Sequence, residues 1–101
     1  MIYEIAEIDV LEGHAEAFEA AVAEASAQFK AARGCHSMRL ERSIEHPLRY
    51  RLVVGWATVE DHTVHFRESE GFRIWRALAG PHFASPPRVE HVTVVLSAFE
   101  Q

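Results

Sequence analysis

With 101 residues, 49% hydrophobic and 25% charged, the chain is sized for a single compact domain, expected to span residues 1–101. A net charge of −5 without a broad basic face argues against nucleic acid as a partner, and no apolar run approaches the roughly 18 residues of a membrane span. The acidic N-terminus lacks the basic region of a signal peptide and the single Cys35 allows no intrachain disulfide, so a cytoplasmic location is expected.

Residues 2–10, IYEIAEIDV, are short and β-branched, as a strand requires. Apolar residues occupy both alternating sets, which implies partial cover on both faces. Glu12-Gly13 breaks the run. From residue 14 to Arg33 the period becomes helical: Phe18, Val22, Ala25 and Phe29 fall on one stripe, with alanines between them. Gly34 stands where a left-handed residue would end that helix. Residues 35–43, CHSMRLERS, alternate as a second strand, and IEHP at 44–47 reads as a turn. RYRLVVGWA, 49–57, is a third strand. Five arginines lie between Arg33 and Arg51, either as solvated strand residues or as a local anion site.

Thr58 followed by Asp61 resembles a capping box, so a helix should begin near Val59 and run to about Glu68. Phe72, Ile74, Trp75 and Leu78 then predict a second short helix ending at Gly80-Pro81. Ser85-Pro86-Pro87 is a loop, and 89–99, VEHVTVVLSAF, is the last strand. The order β-α-β-β-α-β is that of an α+β, ferredoxin-like fold: a four-stranded antiparallel sheet with both helices on one face. Val92, Val94 and Leu96 alternate with Val89, His91, Thr93 and Val95, so the second face is expected to be largely apolar too. Packing against a second copy, sheet on sheet, would bury it.

The ordered set Glu12-Gly13, Gly34-Cys35-His36, Trp56, Asp61-His62, His65-Phe66, Phe72, Trp75 and Pro86-Pro87 resembles the antibiotic-biosynthesis monooxygenase family along essentially the whole chain. The resemblance implies a homodimer whose two sheets form an α+β barrel. It also implies oxygenation of small electron-rich aromatics: polyketide intermediates, quinols or, in one branch, haem. The chain departs from the family in having no asparagine, which the polyketide oxygenases and haem degraders use in their pockets. The segment after Phe72 also lacks the histidine that holds haem in the latter. The Gly34-Cys35-His36 run and a histidine nine residues after Trp56 look more like the quinol-oxidising branch.

His62 and His65 lie three apart and would share one face of an α-helix. Their spacing matches no metal pattern, so no metal is expected. His62 follows two acids in the first turn and is expected at the surface. His65 is expected to point inward as a general base, because an imidazole titrating near 6.5 suits proton abstraction at neutral pH. Trp56, Phe66, Phe72 and Trp75 would line an aromatic pocket. Arg51 or Arg39 would hold the substrate anion, and His91 would sit at the cavity floor or between the sheets. The chemistry implied by the resemblance needs no cofactor: a deprotonated phenol reduces O2 directly. A binding or protective protein without turnover, or an isomerase or cyclase using the same base without oxygen, would fit the same scaffold.

Overall fold

Strand alternation decides which residues of this chain meet each other. The computed structural model describes all 101 residues, Met1–Gln101. It comprises β1 (Ile2–Asp9), α1 (Ala15–Lys30), β2 (Cys35–Arg42), β3 (Arg49–Trp56), a π-helical turn (Asp61–Phe66), α2 (Glu70–Ala79) and β4 (Arg88–Val92). The strands form one sheet in the order β2-β3-β1-β4 with every neighbour antiparallel. This is the ferredoxin-like α+β arrangement expected from the element order.

The even-numbered residues of β1 and β3 face the helices. Ala6, Ile8, Tyr50, Leu52, Val54 and Trp56 pack there against Phe18, Val22, Ala25 and Phe29 of α1. The α1 stripe read from the sequence is thus the stripe that is buried. Each of the larger aliphatic and phenylalanine side chains contributes roughly 1.5–3 kcal/mol by leaving water. Phe18 and Tyr50 pack as tilted rings with centroids 4.9 Å apart, and the Tyr50 hydroxyl donates to Glu19 at 2.6 Å. No helix is long and apolar enough to cross a membrane.

α1 ends sooner than the sequence predicts, and Gly34 takes the left-handed conformation at φ 75°. A side chain at Gly34 would run into the Asp61 carboxylate. The glycine carbonyl accepts from the Ala57 amide at 2.7 Å, so the end of α1 lies close against the exit from β3.

Two expectations need correction. The last strand, predicted over 89–99, pairs only over Arg88–Val92. Val92 lies opposite Tyr3, near the start of β1, so the chain beyond it runs past its only neighbour. Val94, Val95, Leu96 and Phe99 are exposed there. The second face of the sheet is also only half apolar. Tyr3, Ile5, Val53, Gly55 and Val92 share one end of it, while the register sets Glu41, Arg51, Glu7 and Arg88 side by side across all four strands at the other. The strand parity that made β4 look apolar is populated by valine and leucine only from Val92 onward; before it come Arg88 and Glu90.

Candidate active site

The β1 parity that carries Ala6 and Ile8 into the core also carries Glu4, and this places a carboxyl under the helices. Glu4 is only 5% exposed. The indole N–H of Trp56, at the end of β3, donates to Glu4 Oε1 at 3.0 Å. His62 Nε2 lies 3.3 Å from the same oxygen. His62 Nδ1 is in turn 2.8 Å from Nε2 of His91, which stands directly across from Glu4 on β4. The Trp56 ring stacks on His62 with centroids 5.5 Å apart and planes 21° apart. Four strand and turn positions therefore converge in one polar chain, Trp56–Glu4–His62–His91, which runs from the apolar interior to the half-buried His91.

Local winding explains why His62 joins this chain. The expected α-helix from Val59 to Glu68 is instead a π-helical turn, in which the Arg67 amide donates to the His62 carbonyl, five residues back, at 3.2 Å. Thr58 does cap it, accepting from the Asp61 amide at 3.1 Å. The wider turn buries Asp61, His62 and Phe66 and turns His65 to solvent. His62 and His65 do not share a face, and the two are exchanged relative to the sequence expectation: His62 is 3% exposed, while His65 is a surface residue that does not line the cavity.

Above the polar chain opens a cavity of about 660 Å³. Phe66, Phe72 and Trp75 wall it, as the sequence predicts, with Phe29 and Phe83 beside them. Glu4 and His62 form its polar floor, and Arg67 and Arg76 reach it from the end of the π-helical turn and from α2. The Ser69 hydroxyl caps α2 by accepting from the Phe72 amide at 3.3 Å, which sets where the Phe72–Trp75 wall begins. The Ala84–Pro87 segment closes one side. The Ala84 amide donates to the Asp9 carbonyl at the end of β1, and the preceding His82 is held by the Leu11 amide, just past β1, and by His14, the residue before α1, at 3.0 Å. Nowhere do three or more His, Cys, Asp or Glu side chains gather as metal ligands.

Besides His65, three predicted site residues sit elsewhere. Trp56 is wholly buried beneath the cavity rather than in its wall, and acts on it through its N–H bond to Glu4. Arg51 and Arg39 point from the opposite face of the sheet and both bond Glu41, at 3.1 and 2.9 Å. Strand parity forbids them the cavity. Conversely, Glu4, Arg67 and Arg76 were not singled out from sequence. Glu4 did leave a signal: it is the one carboxylate among Ile2, Ala6, Ile8 and Val10, the apolar set of β1.

Burial governs the protonation of this floor. Taking Glu4 out of water raises its pKa to about 7, against smaller opposing effects of the Trp56 hydrogen bond and the Arg67 charge. Burial first, and then the nearness of His91 and Arg67, lowers His62 to about 4. Although the two groups are within ion-pair distance, the neutral acid beside the neutral imidazole is favoured over the ion pair, because desolvating two charges costs more than their attraction returns. Near pH 7 the carboxyl gains and loses its proton readily while His62 stays neutral.

The sequence profile of antibiotic biosynthesis monooxygenases matches residues 1–78. A Bacillus subtilis (strain 168) protein of uncharacterised function, YczJ, is 34% identical over 91 residues, which is 90% of this chain and 96% of that relative. The crystal structure of a Bordetella bronchiseptica protein named for the same family is 54% identical. It superimposes with a TM-score of 0.93 over 94% of this chain and 97% of its own. A second such structure, from Caulobacter crescentus, is 25% identical with a TM-score of 0.81, covering 94% of this chain and 90% of its own.

Proposed function

The chain belongs to the antibiotic biosynthesis monooxygenase family, and from that premise we propose that it is a cofactor-independent oxygenase of a small electron-rich aromatic, with Glu4 as the general base. The observation that carries the proposal is the buried Glu4 carboxyl at the floor of an aromatic-walled cavity of about 660 Å³, where burial raises its pKa to about 7. A base is most effective when its pKa lies near the working pH. An aromatic-walled cavity of this size suits a one- to three-ring substrate.

Glu4 takes an acidic proton from a phenol or an anthrone-type methylene. The resulting anion gives one electron to O2. Superoxide and the substrate radical combine to a peroxide, which loses water to leave a carbonyl. One oxygen atom stays with the product and the other leaves as water with two substrate hydrogens. His62 keeps the carboxyl oriented and passes its proton to the half-buried His91, and so toward solvent. Trp56 fixes the other side of the carboxyl through its N–H.

The working unit of this proposal is a cytoplasmic homodimer. The apolar end of the open sheet face exposes Tyr3, Ile5 and Val92, the exposed Val94 and Leu96 follow Val92 in sequence, and a second copy packed there would cover both. Light scattering at micromolar concentration should give twice the 11.4 kDa chain mass; the chain mass alone would remove the dimer.

The test of the chemistry is oxygen uptake with a hydroquinone or anthrone and no added flavin, haem or metal. Uptake above spontaneous autoxidation, lost in Glu4→Gln, is the expected result. No uptake with tight binding would make the protein a carrier, and turnover without oxygen consumption would make it an isomerase or cyclase.

A further inference from the structure

The chain has nine arginines. Seven of them reach a carboxylate. Arg33 meets Asp61, Arg39 and Arg51 meet Glu41, Arg42 meets Glu19, Arg49 and Arg88 meet Glu7 and Asp9, and Arg73 meets Glu70. Arg67 and Arg76 reach none, and both line the covered cavity. The one acid in that lining is Glu4, at the floor. A protein of net charge −5 thus presents a cavity whose free charges are cationic. Such a concave, low-dielectric mouth focuses its field on incoming anions.

The geometry points to an anionic aromatic ligand: we propose that the substrate carries a carboxylate or equivalent monoanionic group, held at the cavity mouth by Arg67 and Arg76. Its ring lies between Phe66, Phe72 and Trp75, and its acidic C–H or O–H is directed at Glu4. Each arginine directly follows a wall residue in sequence, Arg67 after Phe66 and Arg76 after Trp75. Arg67 ends the π-helical turn, and Arg76 stands one helical turn after Phe72 with its guanidinium 5.9 Å from that ring's centre. That stacking holds the side chain while leaving its N–H donors free for an acceptor. The field of Arg67 already reaches the floor, where it favours loss of the proton from Glu4 and from His62. A ligand anion bound at the mouth would be near enough to partly cancel that field.

This inference rests on the covered cavity being the substrate site, but its test needs no turnover. The probes are 2-naphthoate and its neutral isostere 2-naphthamide, titrated at low salt by calorimetry. Naphthoate should bind about tenfold more tightly or better, the worth of one or two charge-assisted contacts at a partly exposed site. Arg67→Gln and Arg76→Gln should each lose most of that preference and the double variant all of it, while naphthamide binding stays the same. Arg51→Gln, on the far face, should change neither. Equal binding of the two probes, no measurable naphthoate binding, or a preference that survives in the double variant would overturn the inference. A naphthoate preference in a protein that consumes no oxygen would sustain it and sink the oxygenase reading alone.

Discussion

The two faces of the sheet use the same residue types to opposite ends. On the open face Glu41, Asp9, Arg51, Arg49 and Arg88 are interlocked in water, and hydrogen bonds from arginine hold the Glu41 and Asp9 carboxyls below their ordinary pKa. On the covered face Glu4 has no arginine in contact, and burial drives it the other way, to about 7. The arginines of the open face are consumed by their neighbours; those of the covered cavity are free. Solvation, not residue type, decides which carboxylates are structural and which can exchange a proton near neutrality.

The comparison breaks first if the covered carboxyl is dispensable. Glu4→Gln should lower oxygenase turnover by roughly 10²–10⁴-fold, the range for a positioned base, while Arg51→Gln on the adjacent strand should leave it nearly unchanged. Steady-state oxygen electrode rates check both. In stability the same two faces should differ nearly as sharply. Leu52→Ala removes a buried side chain and should cost about 2–5 kcal/mol in urea unfolding. Its neighbour Arg51→Gln gives up an exposed ion pair and should cost no more than about 1 kcal/mol.

Acid and base linkage sharpens the contrast. Glu4 is raised in the folded state, so its contribution is fully present below its ordinary pKa of 4.5 and is lost as pH rises through about 7. His62 is lowered, so its contribution is present above 6.5 and is lost as pH falls through about 4. Between pH 4.5 and 6.5 the two slopes oppose each other. Glu4→Gln leaves only the histidine slope, so that variant should gain stability relative to wild type from pH 4.5 to 6.5, by up to roughly 3 kcal/mol. Thermal melts across that window show it as a difference in slope; parallel curves would mean the two groups are not buried together. The smallest effect belongs to His65→Ala, which should alter neither turnover nor melting temperature by a measurable amount because the ring is in water. A large loss of turnover there, with Glu4→Gln unaffected, would restore His65 as the base.

Much of this architecture was legible in the sequence because it rests on periodicity. The α1 stripe at Phe18, Val22, Ala25 and Phe29 and the alternation of RYRLVVGW leave little freedom in which face is buried. The cavity walls Phe66, Phe72 and Trp75 were expected from the family resemblance rather than from periodicity. The polar floor of the cavity was not legible, for two physical reasons. The π-helical turn breaks the 3.6-residue period on which the facing of His62 and His65 was argued, and hydrophobicity patterns carry no sign of a five-residue hydrogen bond. Glu4 looked like an ordinary strand charge, although its place among Ile2, Ala6 and Ile8 marked it as buried. The extent of β4 was misjudged because apolar residues alone do not make a strand; Val94 and Leu96 lack a neighbour in their own chain.

The most direct test of the account is a carboxyl-detected NMR titration of Glu4 in the wild-type protein, assigned against Glu4→Gln. A midpoint near pH 7, with the His62 ring neutral down to about pH 4, is the result predicted by a buried neutral acid–imidazole couple. A midpoint near 4.5, with His62 titrating near 6.5, would mean that water reaches both groups and that the covered face holds no base tuned to neutral pH.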